Sequence, residues 1–156
     1  MAAGDVTVFN QFMVDLGNKI HDMDGDTFKV GLITSAVTPT AADAAPHWGG
    51  TGTTNFNTNE VTAGGNYDAE GETLTTLSFS NSSGTISFKA DKVSVAQHAS
   101  NPTNARWGIL YNSTDANKRA VAFVDLGADI NLSSGLFEIK WNSVDGNGTV
   151  FTLAQV

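Results

Sequence analysis

Three sets of side chains in this 156-residue chain are of the types that chemistry uses. The run Asp22-Met23-Asp24-Gly25-Asp26 places carboxylates at alternate positions, which is how an EF-hand calcium loop begins. The rest of such a loop is missing: Thr27 stands where the sixth position needs Gly, and Ile33 where the twelfth needs a bidentate Glu. The run reads instead as a helix terminator and turn. His21, His47 and His98 fall in separate segments with neither His-x-x-x-His nor Glu-x-x-His spacing. A zinc site or a catalytic base would need the fold to bring them together. Glu70 and Glu72 are a pair of acids of the kind glycoside hydrolysis uses, set in a Gly-rich connection that reads as solvated loop. There is no Gly-x-Ser-x-Gly elbow, no Gly-x-x-x-x-Gly-Lys phosphate loop and no cysteine. The expectation is a chain that is not an enzyme and uses no cofactor or metal.

Charge narrows the partners. Sixteen acidic residues against eight basic ones give a net charge of −8, and only Lys118 and Arg119 are adjacent cations. Proteins that bind nucleic acid cluster cations to displace counterions from phosphate, so nucleic acid and anionic membrane surfaces are poor partners here. No apolar run approaches the length of a membrane span, and positions 1–4 lack the basic start of a secretion signal. The expectation is a soluble protein that is not exported by a standard signal.

The elements that would carry these residues are mostly strands. Phe28, Val30 and Leu32 alternate with other residues, as do Ile86 and Phe88, Val93 and Val95, Val121 and Phe123, and Phe137, Ile139 and Trp141. Period-two alternation is the mark of a half-buried strand. Strands are predicted at about 27–34, 73–80, 85–90, 92–96, 105–112, 119–126, 135–142 and 149–154, with hairpin loops at Asn81–Gly84 and Asp145–Gly148. Gly, Ser, Thr and Asn make up about two residues in five, which marks many turns and long loops. The segment 1–26 differs. Phe9, Phe12, Met13, Leu16 and Ile20 recur at helical spacing, with Asn10, Asp15, Asn18 and Lys19 outward, predicting one amphipathic helix over about 8–21. Asp5 or Thr7 would cap it. The chain as a whole, 1–156, reads as a single mainly β domain, an antiparallel β-sandwich with jelly-roll order preferred among several topologies, and one N-terminal helix.

Residues 35–72 are the exception, a long arm rich in Gly and Pro with few apolar residues. One short strand is predicted in it near 58–62. Connections of this length are uncommon in compact domains unless they have work to do. Its aromatics Trp48, Phe56 and Tyr67 are therefore candidates for anchoring on a neighbour, or else for capping the chain's own core. Phe9, Phe12 and Leu16 are expected in the core.

Several stretches occur in an order that is similar to a family of small virion proteins of tailed bacteriophages. They are Asp26-Thr27-Phe28-Lys29-Val30-Gly31-Leu32-Ile33-Thr34-Ser35 with Pro39, Val61-Thr62-Ala63-Gly64-Gly65, Ala105-Arg106-Trp107-Gly108-Ile109-Leu110-Tyr111-Asn112, Ala122-Phe123-Val124-Asp125-Leu126-Gly127, and Gly135-Leu136-Phe137-Glu138-Ile139-Lys140-Trp141. The resemblance is to head-decoration, or capsid cement, proteins. It implies a structural protein on the capsid exterior, made in the host bacterial cytoplasm, with the major capsid protein as partner. Self-association as a dimer or trimer would multiply weak contacts. A tail or baseplate component and a carbohydrate-binding β-sandwich, with Trp48 as a sugar platform, are the other readings the residues allow.

Overall fold

The alternating segments pair into one long antiparallel ribbon in the computed structural model, which describes residues 4–154. At its centre β9 (Ala105–Asn112) pairs with β10 (Ala120–Ile130). Outside that pair, β8 (Val93–Val95) meets β11 (Phe137–Ile139), and outside that again β7 (Thr85–Asp91) meets β12 (Asn147–Ala154). The remaining strands add to the ribbon's sides: β1 (Val6–Val8) beside β10, β2 (Phe28–Ile33) beside β9, β5 (Glu72–Thr73) beside β2, and β6 (Ser78–Ser82) beside β7. The result is a mainly β, sandwich-like domain with a five-stranded sheet, β1-β10-β9-β2-β5, and a three-stranded sheet, β12-β7-β6.

The inner faces of the two sheets make the larger core. Phe28, Val30, Leu110 and Val124 of the first pack with Phe88, Ala90, Val150 and Phe151 of the second. The Phe28 and Phe88 rings meet edge-on at 5.6 Å. The opposite face of the five-stranded sheet is also buried, with Ile33, Trp107, Ile109, Tyr111 and Phe123 in a second core. Residues 35–72 supply that cover. Within them, β3 (Pro46–His47) and β4 (Thr54–Asn55) form a small parallel pair, followed by a 3-10 turn at Asn57–Asn59; the short strand predicted near 58–62 is reduced to a single antiparallel bridge between Glu60 and Ile33.

Several boundaries differ from expectation for local reasons. The helix α1 spans Asn10–Gly17, not 8–21, and its N-cap is Phe9 with no side-chain cap, rather than Asp5 or Thr7. Its end is set by Asn18 and by Lys19 at φ 59°, before the Asp22–Asp26 run is reached. Asp15 is buried and Met13 exposed, the reverse of the helical-wheel reading; Asp15 Oδ1 accepts a hydrogen bond from Gln11 Nε2. The predicted strand 73–80 is broken at Thr76, whose φ of 55° carries the chain from one sheet to the other. The predicted strand 135–142 is short because Trp141–Ser143 form a 3-10 turn, with the Trp141 indole N–H donating to the Asp91 carbonyl at 2.8 Å. Asn81–Gly84 is the expected hairpin loop, with Ser83 and Gly84 both at positive φ as a two-residue type I′ turn requires. The Asp145–Gly148 stretch instead leads from that 3-10 turn into β12.

Candidate contact site

The three aromatics proposed as anchors are interior. Trp48 and Phe56 are fully buried and Tyr67 nearly so. Trp48 lies flat on Tyr111, ring centroids 5.2 Å apart and 7° from parallel, and its backbone N–H bonds the Lys118 carbonyl. Its ring covers Gly31 so closely that a Cβ there would sit 2.2 Å from Cη2. Phe56 packs on Phe9, which packs on Phe123. These side chains have no surface to offer a neighbour: Trp48 and Phe56 provide the apolar cover that the second face of the sheet needs, and Tyr67 packs into the larger core. All three tryptophans and both tyrosines are buried, so none of them makes an exposed sugar platform.

The acids of the arm fasten it. The Tyr67 hydroxyl accepts from the Leu32 N–H at 2.8 Å and donates to Glu60 Oε1 at 3.2 Å. Glu60 also accepts from the Glu70 N–H at 2.7 Å and from Asn57 Nδ2 at 3.1 Å. Burial holds the Glu60 and Glu72 carboxyls above their ordinary value, while the Lys118 ammonium, bonded to Glu70, holds that carboxyl below it. Glu70 and Glu72 therefore serve different ends: one is an ion pair, the other a half-buried end of β5.

The aspartate run is a hydrogen-bonded turn. Asp22 Oδ1 accepts from the Gly25 N–H, and Asp26 Oδ2 accepts from the Asp22 N–H and from Asn112 Nδ2. Among the described residues, no three His, Cys, Asp or Glu side chains come together to hold a metal. His21 Nδ1 lies 3.1 Å from Asn112 Nδ2. Asn112 Oδ1 already accepts from the N–H groups of Thr114 and Asp115, so its amide nitrogen faces the ring and His21 carries its proton on Nε2. Burial lowers the pKa of His21 and of His47 from the ordinary 6.5. A base whose folded pKa is lowered favours the unfolded chain once pH falls below its unfolded value. Urea unfolding should thus show wild type losing stability relative to a His21→Gln, His47→Gln variant, in which the carboxyl titrations cancel, as pH is taken from 7.5 to 5.5, with each unit of pKa depression worth about 1.4 kcal/mol at the limit. A difference that is unchanged or rises over that window would refute the neutral, buried state of these rings. Glu60 and Glu72 act the other way, stabilising the fold as pH falls through their raised values.

An open surface lies at the other side of the molecule. Gly127, at φ 84°, donates its N–H to Asp125 Oδ1 where the β10–β9 register shifts, before pairing resumes at Ile130 and Ala105. Between that shift and the segment entering β11 is an open groove of about 470 Å³. Val124, Leu126, Ile130, Phe137 and Ile139 give it an apolar lining, and Glu138 and Lys140 border it. Leu136 stands at its edge, 62% exposed. Both border charges belong to an ion-pair network with Lys92 and Asp145, which pushes the Lys92 pKa up to about 12. The sequence signal for this site is slight: a leucine directly after Ser133-Ser134-Gly135, a turn that would normally expose a polar side chain.

No family model, curated protein or solved structure matches this chain. The fold and its surfaces are the ground for a functional reading.

Proposed function

We propose that this chain is a non-enzymatic structural protein of a tailed-phage virion, binding the outer surface of the major capsid protein lattice as a decoration or cement protein. The observation that carries the reading beyond sequence likeness is the apolar groove beside Leu136, open on a domain whose other large aromatics are committed to its two cores. The stretches that resemble decoration proteins support it further: those at 26–35, 105–112 and 122–127 are the adjacent strands β2, β9 and β10 of one sheet, and that at 135–141 forms the groove's wall. In this reading the groove receives a loop of the major capsid protein, with Leu136 as the apolar anchor. The neutralised charges at its border limit the cost of covering them. A net charge of −8 keeps the free protein dispersed before it attaches.

The test is reconstitution on capsids lacking the protein, with copy number read by quantitative mass spectrometry. Wild type should reach copy numbers comparable with the major capsid protein. Leu136→Asp should lose at least tenfold in shell affinity while its unfolding midpoint stays within the range of surface substitutions. Only a few copies per native particle would place the chain in the tail instead, and full binding by the variant would move the contact elsewhere.

A further inference from the structure

Among the described residues, β6 is the last strand of its sheet and its outer edge has no strand beside it. In the β6–β7 hairpin the two-residue turn makes Ser82 and Thr85 the closing hydrogen-bonded pair, so Ser80–Ser87 and Ser78–Lys89 are bonded pairs as well. Phe79 and Asn81 consequently turn their backbone N–H and C=O groups away from β7, along an edge where β6 is the last strand. Natural sheets protect such edges with lysine, proline, a bulge or a covering segment. None is present among the described residues: β6 reads Ser-Phe-Ser-Asn-Ser, its register with β7 is regular, and Ser80, Asn81 and Ser82 are exposed. Residues 73–88 hold no charged side chain, although the whole chain carries −8. Copies of an acidic protein repel one another over most approaches. Along this edge they meet without opposed like charges.

We propose that two copies of this chain pair through β6, antiparallel about a two-fold axis at Ser80. The outward groups fix the register. Phe79 exchanges two backbone hydrogen bonds with Asn81 of the partner subunit, the symmetric exchange adds two more, and Ser80 faces Ser80 of the partner subunit as the close, non-bonded pair. Serine suits that position because opposed side chains there approach most nearly. The two three-stranded sheets become one of six strands, β12-β7-β6 continuing into its symmetry copy. This assigns an edge to the self-association in the reading above. A pair would present two grooves at once, so that modest contacts give long-lived attachment to a repeating surface.

Sedimentation equilibrium on the full-length chain, with no capsid present, tests it. Wild type and Ser80→Ala should pass from monomer to dimer between micromolar and millimolar concentration, with amide exchange at Phe79 and Asn81 slowing as dimer forms. Ser80→Lys and Ser80→Glu place like charges opposite one another and should each weaken the dimer about fivefold. An equimolar mixture of the two should dimerise more tightly than either alone. Wild type remaining monomeric throughout, charge variants dimerising as wild type, or no recovery on mixing would each overturn the β6 pairing. Because these readouts involve no shell, a monomer that still decorates capsids refutes the pairing alone, and a β6 dimer that ignores capsids refutes the capsid reading alone.

Discussion

Trp48→Ala should lower the unfolding free energy by about 3–5 kcal/mol, the cost of emptying a buried aromatic site. Trp48 is fully buried, stacked on Tyr111, and is the contact that joins the 35–72 cover to the middle of the five-stranded sheet. Gly31→Ala should be costly for the reciprocal reason. Its new Cβ would fall 2.2–2.7 Å from three ring carbons of Trp48, and overfilling a packed core costs about 1–3 kcal/mol. The decisive measurement is the pair of substitutions together. Once the indole is gone the Cβ has room, so Gly31→Ala added to Trp48→Ala should cost nearly nothing, giving a coupling within the 0.5–3 kcal/mol seen for touching residues. Urea midpoints at unchanged slope would read these differences directly. Additive losses would mean that the ring does not lie over Gly31. A stable Trp48→Ala protein that had lost only shell binding would return Trp48 to the surface.

That same residue pair explains what was legible in the sequence and what was not. Strand alternation located β2, β7, β8, β9 and β12 to within two residues, because each has at least one buried face and side chains on a pleat must alternate. The second buried face was also written there. In Ala105–Asn112 the residues Trp107, Ile109 and Tyr111 make one side apolar while Leu110 on the other side faces the larger core, so both sides of the strand are buried. Such a strand demands a cover, and the long arm was the one segment free to supply it. Its low apolar content left the aromatics open between anchor and cap, since only Trp48, Phe56 and Val37 do the covering while most of the remaining residues turn the chain. The helix was overextended because periodicity continues past Gly17 to Ile20, whereas the backbone turns left-handed at Lys19. The groove beside Leu136 was the least legible feature. It lies beside the register shift at Gly127 in β10, and neither the shift nor the space has a sequence period.

Glu60→Ala should release the arm at its other fastening, with a loss of about 2–4 kcal/mol from stranding the Tyr67 hydroxyl and the Glu70 N–H. Both donors rely on Glu60 Oε1, and Tyr67 in turn receives the N–H of Leu32 in β2, so one carboxylate closes a chain of bonds from arm to sheet. Amide exchange should rise at Val61, Glu70 and Leu32 before the global transition, while amides of β7 and β12 stay protected. Glu60→Gln should be milder, since its carbonyl still accepts from both donors, and only the bond from Asn57 Nδ2 is lost to an opposed donor. The Gln variant also isolates the titration. Burial raises the Glu60 pKa, so its contribution is fully present below the unfolded carboxyl value and is lost as pH rises through the folded one. Wild type should accordingly gain stability relative to Glu60→Gln as pH is lowered from 7 toward 4.5. A difference that is flat or opposite in sign would show that solvent, and not Tyr67 and the arm, surrounds this carboxylate.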